Sequence, residues 1–137
     1  MNNFYNPVQI EFGRGAIHFL TRFIKGRKAL LITSQGFVKR GLVSEIQEAN
    51  PEIIQVIHDV QPNPTINQAL ALRSIIDYEK FDVIVALGGG SVIDMAKALA
   101  PIDSNGTFDF LDALNNGLRD SIEVKPIIAI PTTAGTG

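Results

Sequence analysis

Gly88-Gly89-Gly90-Ser91, with Asp94 three residues further on, is the stretch of this sequence best suited to chemistry. Glycines let a backbone approach a ligand closely, and a helix start offers unpaired N–H groups and a positive dipole end to an anion. The flanking residues supply that setting. Asp82–Leu87 is a short, nearly continuous apolar run rich in β-branched residues, as expected of a strand buried on both faces of a parallel sheet. After the glycines, Val92, Ile93, Met95, Ala96, Leu99 and Ala100 recur at helical spacing. Ser91 stands at a predicted N-cap and Asp94 completes a capping-box pattern. A cap alone needs no glycine, and three in succession cost backbone entropy. Phosphate binding therefore explains the stretch better than helix initiation.

The pattern is not the usual dinucleotide fingerprint. Gly88 and Gly90 fill the first two places of G-x-G-x-x-G, but Ile93 fills the third. No Gly-Lys-Ser/Thr follows, so it is not a P-loop either. Two other segments end apolar runs in the same way: Ser34-Gln35-Gly36 after Lys28–Thr33, and Pro131-Thr-Thr-Ala-Gly-Thr-Gly137 after Pro126–Ile130. In a parallel α/β sheet, ligands bind at the carboxyl ends of strands. Three independent segments thus point to one edge.

The elements that must hold this edge alternate along the chain. Val8, Ile10 and Phe12 alternate with polar residues, predicting a half-buried or edge strand over Asn6–Gly13. A helix follows over Gly15–Ile24 with Gly26 as its C-cap, and His18 falls on its solvent face. Lys28–Thr33 is predicted as a strand. The next helix uses Phe37, Val38, Leu42, Val43 and Ile46 and stops at Asn50-Pro51. Ile53–Ile57 is a strand ending near His58, and Thr65 caps a helix carrying Ile66, Ala69, Leu70, Leu72, Ile75 and Ile76. Residues Asn105–Leu118 are predicted as loop, with Phe108, Phe110 and Leu111 tucked against the domain and Asp109 and Asp112 in a solvated turn. The alternation predicts a doubly wound, Rossmann-like parallel α/β sheet forming a single domain over residues 1–137.

With 137 residues, 45% hydrophobic and 19% charged, the composition is that of an ordinary globular protein. A net charge of −2 argues against nucleic acid and an anionic membrane as partners. The absence of cysteine excludes disulfides, thiolate metal sites and a Cys nucleophile. No signal-peptide pattern opens the sequence, so the cytoplasm is the expected compartment.

Four segments together resemble the N-terminal, nucleotide-binding domain of the iron-containing alcohol dehydrogenase family. They are Gly13-Arg-Gly15, Pro62-Asn-Pro-Thr65, Gly88-Gly-Gly-Ser-Val-Ile-Asp-Met-Ala-Lys97 and Pro131–Gly137. The resemblance implies NAD or NADP as cofactor, a small alcohol or aldehyde as substrate, and room for a homo-oligomer. It also implies roles: Gly89, Gly90 and Ser91 hold the pyrophosphate through backbone N–H groups, and Asp94 lies near the nicotinamide ribose. Thr132, Thr133 and Thr136 line the cofactor from the opposite strand end. In NAD-using members the end of the Lys28–Thr33 strand carries an Asp that accepts from the ribose 2′-OH. Here Ser34 is neutral, Ser34 and Gly36 can donate to a phosphate, and Lys39 or Arg40 can add charge by folding back, so NADP is the favoured cofactor.

In the family a following helical domain holds a divalent metal, iron or zinc, through one Asp and three His. That domain is absent from these residues, and His18 and His58 do not replace it. The expectation is a truncated domain that binds nucleotide and catalyses little alone. The competing readings are a free-standing nucleotide- or phosphate-binding module and the cofactor domain of a glycerol dehydrogenase or dehydroquinate synthase-like enzyme. A flavodoxin-like signalling domain would need an acidic cluster, which Asp59 and Asp82 do not form.

Overall fold

Apolar, β-branched runs become strands where helices can cover both of their faces. In the computed structural model, which describes residues 5–103 and 108–133, four such runs form one parallel sheet. They are β1 (Ala29–Ile32), β2 (Ile53–Ile57), β3 (Val83–Gly88) and, last in the chain, Ile127–Pro131. Between β3 and that last strand lie β4 (Pro101–Asp103) and β5 (Ile122–Val124), a small antiparallel pair; the last strand is therefore β6. The sheet order is β2-β1-β3-β6.

The helices are α1 (Leu20–Ile24), which follows a 3-10 turn over Ala16–Phe19, α2 (Gln35–Lys39), α3 (Leu42–Ala49), α4 (Ile66–Ile75), α5 (Gly90–Leu99) and α6 (Phe110–Asn116). Successive strand residues point to opposite faces, and the core divides accordingly. Ala29, Leu31, Val83, Val85 and Leu87 pack against Leu20 and Ile24 of α1 and Val43 and Ile46 of α3. Leu30, Ile32, Ile84 and Ala86 pack against Ala69 and Leu72 of α4 and Val92, Met95, Ala96 and Leu99 of α5. The sheet is doubly wound. Chain order reverses between β1 and β3, which makes the crevice at their carboxyl ends a topological switch point, where open α/β sheets bind ligands.

Four of the five predicted strands lie within a residue or two of their observed places, and Thr65 caps α4 by accepting from Gln68 N at 3.2 Å. Three expectations are corrected. Residues 5–12 form no strand, and Val8, Ile10 and Phe12 are exposed: the segment pairs with none of the described strands, and alternation alone does not make a strand. The helix predicted through Phe37 and Ile46 is two helices, broken where Gly41 takes a left-handed conformation at φ 79°. The predicted loop over 105–118 contains α6, started by Asp109, whose carboxylate accepts from Leu111 N and Asp112 N, both at 2.9 Å. Asp59 and Asp82 lie toward opposite ends of the sheet: Asp82 precedes β3 and accepts from Lys28 N, whereas Asp59 follows β2.

Candidate functional site

The carboxyl edge of the sheet is assembled by strand register. Ile32 is level with Ala86 across β1 and β3, and Gly88 is level with Pro131 across β3 and β6. Thr33, fully buried, donates its hydroxyl to Leu87 O at 2.8 Å and ties the end of β1 to the end of β3. Thr132 N donates to Gly88 O at 3.0 Å on the other side. The three predicted segments therefore meet: Ser34–Gly36, Gly88–Ser91 and Thr132–Thr133. Thr136 lies outside the described residues.

Each of the three glycines meets different surroundings. A Cβ on Gly88 would lie 2.6 Å from Val92 Cγ2 and 2.8 Å from Val92 Cβ, so only glycine lets the helix start so close to the strand. A Cβ on Gly89 would stand 3.3 Å from Thr133 Oγ1 and Cγ2, which shows how closely the end of β6 approaches the turn. A Cβ on Gly90 would meet nothing within 4 Å. Gly90 is exposed at the first position of a ten-residue helix, whose opening N–H groups have no partner within the helix. The result is an open shelf, closed beneath by Gly88 and Val92 and empty above Gly90.

Ser91 and Asp94 do not form the predicted capping box. The N-cap is Gly89, whose carbonyl accepts from Val92 N and Ile93 N, and Ser91 is the second helical residue. Its hydroxyl instead accepts from Asn63 N at 3.3 Å, which brings the Pro62-Asn-Pro-Thr65 turn to the shelf. Asn63 has φ 53°, a left-handed conformation uncommon outside glycine though least so for Asn. Asp94 is exposed on α5, paired with Lys97 at 3.2 Å. Thr33 and Asn63 were not picked out by sequence reasoning: the first reads as one more β-former, and the second shows its contact only in the fold.

At the β1 end, Ser34 precedes α2 and makes no capping bond with its side chain, while its backbone bridges to that of Asp59. The Asp59 carboxylate is 3.1 Å from His58 Nδ1. His18 is exposed. Among the described residues no three His, Asp or Glu side chains gather to hold a metal ion, so a divalent metal has no donor set there. No helix among them is long and apolar enough to cross a membrane.

Comparison with known proteins places the chain and its fold in a family. The family model for iron-containing alcohol dehydrogenase matches residues 7–137. The chain is 36% identical to a lactaldehyde reductase of Escherichia coli over 91% of its own length and 34% of that protein. It is 35% identical to a mitochondrial hydroxyacid-oxoacid transhydrogenase of Caenorhabditis elegans, over 93% of this chain and 30% of the relative. Among solved structures it matches a sulfoacetaldehyde reductase of Bifidobacterium kashiwanohense in complex with NAD+. There the TM-score is 0.84 and the identity 30%, over 99% of this chain and 37% of that one. The chain belongs to the iron-containing alcohol dehydrogenase family. It spans about a third of the length of these relatives and corresponds to their N-terminal part.

Proposed function

We propose that residues 1–137 are the nicotinamide-dinucleotide-binding domain of an oxidoreductase that moves hydride between NAD(P) and a small alcohol or aldehyde. The observation that carries the reading is the shelf at the switch point, tight beneath Gly88 and open above Gly90 at the start of α5. Such a shelf fits a pyrophosphate, which needs close backbone approach and N–H donors and tolerates no side chain at its centre. The NAD+ held by the sulfoacetaldehyde reductase supports the class of cofactor.

When bound, the dinucleotide supplies or accepts the hydride; the residues of this chain bind and orient it. Gly89, Gly90 and Ser91 donate backbone N–H groups to the pyrophosphate. Thr132 and Thr133 offer hydroxyls from the β6 side, and Asp94 takes a ribose hydroxyl once turned from Lys97. Ser34 and Gly36 receive the adenosine end on the β1 side. NADP is preferred over NAD, because the residue ending β1 is a neutral serine that does not repel a 2′-phosphate. Among the described residues no donor set fits the family's iron or zinc, which, held elsewhere, would polarise the substrate oxygen. We place the protein in the cytoplasm as a homo-oligomer that binds neither nucleic acid nor membrane.

Titration of the wild-type chain and Gly90→Val with NAD and NADP tests the site. The variant is expected to melt with the wild type, since the added side chain enters empty space, and to lose binding of both dinucleotides. Equal affinity in two folded proteins would remove the pyrophosphate from this turn.

A further inference from the structure

We propose that Asn116-Gly117, at the end of α6, is a modification site: the asparagine converts through a succinimide to aspartate or isoaspartate, and α6 must open for it to react. The inference is independent of the dinucleotide reading. In the first step the main-chain nitrogen of Gly117 gives up its proton to solvent base and attacks Asn116 Cγ. A C–N bond forms, the Cγ–Nδ2 bond breaks, and the side-chain nitrogen leaves as ammonia. Water then opens the ring at either carbonyl, leaving the new carboxylate on the side chain or on the main-chain carbon. Oxidation states are unchanged, and water is the one co-reactant. The attacking nitrogen needs a removable proton and free access. Asn6, Asn50 and Asn63 each precede proline, whose nitrogen carries no N–H. The nitrogen after Asn67, that of Gln68, donates to Thr65 Oγ1 at 3.2 Å. Among the described residues only Asn116 precedes glycine; the other such pair, Asn105-Gly106, lies outside them. The fold itself requires that glycine. Gly117 ends α6 at φ 78°, a left-handed conformation that is costly for residues with a Cβ. The missing side chain that lets the helix end also leaves the nitrogen unshielded.

While α6 is closed, both reacting groups are held. Gly117 N donates to Ala113 O at 3.0 Å, and a nitrogen so engaged keeps its proton. Asn116 Nδ2 donates to Asp112 Oδ1 at 2.8 Å, which draws the side chain back along the helix, away from the peptide that attacks it. The hold is local. α6 has seven residues, too few to be stable as an isolated helix, and its start rests on the exposed Asp109 carboxylate. Short, exposed elements of this kind open at a small fraction of the global unfolding free energy. Asn116 is itself exposed, so water enters and ammonia leaves freely. The product keeps the helix open. A carboxylate at position 116 faces that of Asp112, where an N–H had donated, and like charges replace a hydrogen bond. Isoaspartate also adds a methylene to the main chain, moving Gly117 N off Ala113 O. A reversible opening becomes permanent.

Peptide mapping by mass spectrometry, after incubation in mildly alkaline buffer, reads the exchange of amide for carboxyl at Asn116. The native wild type, the same chain in denaturant, Asp109→Ala and Asp112→Ala are compared, with amide hydrogen exchange of α6 recorded on the native samples. The native wild type is expected to react at least about 10-fold more slowly than the denatured chain. Asp109→Ala removes the cap at the far end of the helix, and should speed both the reaction and α6 exchange by about 2- to 30-fold. Asp112→Ala, which frees the side-chain amide, should also speed the reaction. Asn116→Asp, carrying the aspartate product from the start, should show weaker α6 protection than the wild type at an unchanged melting temperature. Equal rates at Asn116 in the native and denatured wild type overturn the gate. So does an α6 that Asp109→Ala opens with no gain in rate. Full α6 protection in Asn116→Asp overturns the permanent opening.

Discussion

The two sides of the carboxyl edge are built differently. On the β1 side, every residue of β1 and β3 is buried, covered by α1 and α3 on one face and by α4 and α5 on the other. The Thr33 hydroxyl then fastens the two strand ends to each other. On the β6 side the last strand has β3 as its one strand partner among the described residues, and its residues are half-buried or exposed. The difference separates two kinds of residue in one site. Gly88, at the base of the β3 turn, belongs to the core and the shelf at once, so altering it disturbs both. Those on β6 can be altered for the ligand alone.

Gly88→Val presses hardest on that distinction. Its Cβ would overlap Val92, which is itself buried among α5 and β3 residues, so the helix must move or the strand must twist. Overpacking of this kind costs about 1–3 kcal/mol, enough to lower the melting temperature by roughly 3–10 °C in a domain of this size. Thermal unfolding by circular dichroism reads it, and dinucleotide binding should fall with it. A variant that melts with the wild type would show that the turn is not part of the core, and the comparison would fail.

Thr133→Ala asks the converse. Thr133 is exposed, and its side chain comes near the shelf beside Gly89. Removing the hydroxyl should leave the melting temperature within about 2 °C of the wild type, as for most surface changes. Affinity for the dinucleotide should fall by about 2- to 10-fold, the worth of one ordinary hydrogen bond. A large drop in stability with unchanged binding would reverse the roles assigned to the two sides.

The same difference governed what could be read from the sequence. Strands buried on both faces must be unbroken apolar runs, and Ile53–Ile57 was legible to the residue. The three strand ends could be brought together because a parallel sheet leaves them no other edge. Features that depend on a partner were less legible. Val8, Ile10 and Phe12 alternate like a strand, but alternation makes a strand only where an edge receives it. Gly41 sits inside a continuing apolar periodicity, so the break between α2 and α3 was hidden. At seven residues, α6 is too short for periodicity to reveal, and the capping role of Asp109 looked like a solvated turn. At the site, the sequence offered Lys39 and Arg40 as equals, and only the stacking on Phe37 separates them.

The smallest expected effect lies in α6, outside the parallel sheet. The Asp112 carboxylate accepts from Asn116 Nδ2 at 2.8 Å and from Arg119, and these two hydrogen bonds hold its pKa below the ordinary 3.8. A carboxyl with a lower pKa folded than unfolded stabilises the fold fully above its unfolded pKa, and that contribution disappears as pH falls through the folded value. Because Asp112 is half-buried and its partner Arg119 is exposed, the contribution is local and screened by salt. Amide hydrogen exchange between pH about 6 and about 2 should show it, with rates corrected for intrinsic exchange. Protection in α6 should decline toward the acid end in the wild type, while Asp112→Asn starts lower and lacks that step. Amides of β3, held by the buried core, should not follow Asp112 in either protein. Equal acid sensitivity of α6 in both proteins would sink the assignment, and loss of β3 protection in step with α6 would mean that α6 and the buried sheet open as one.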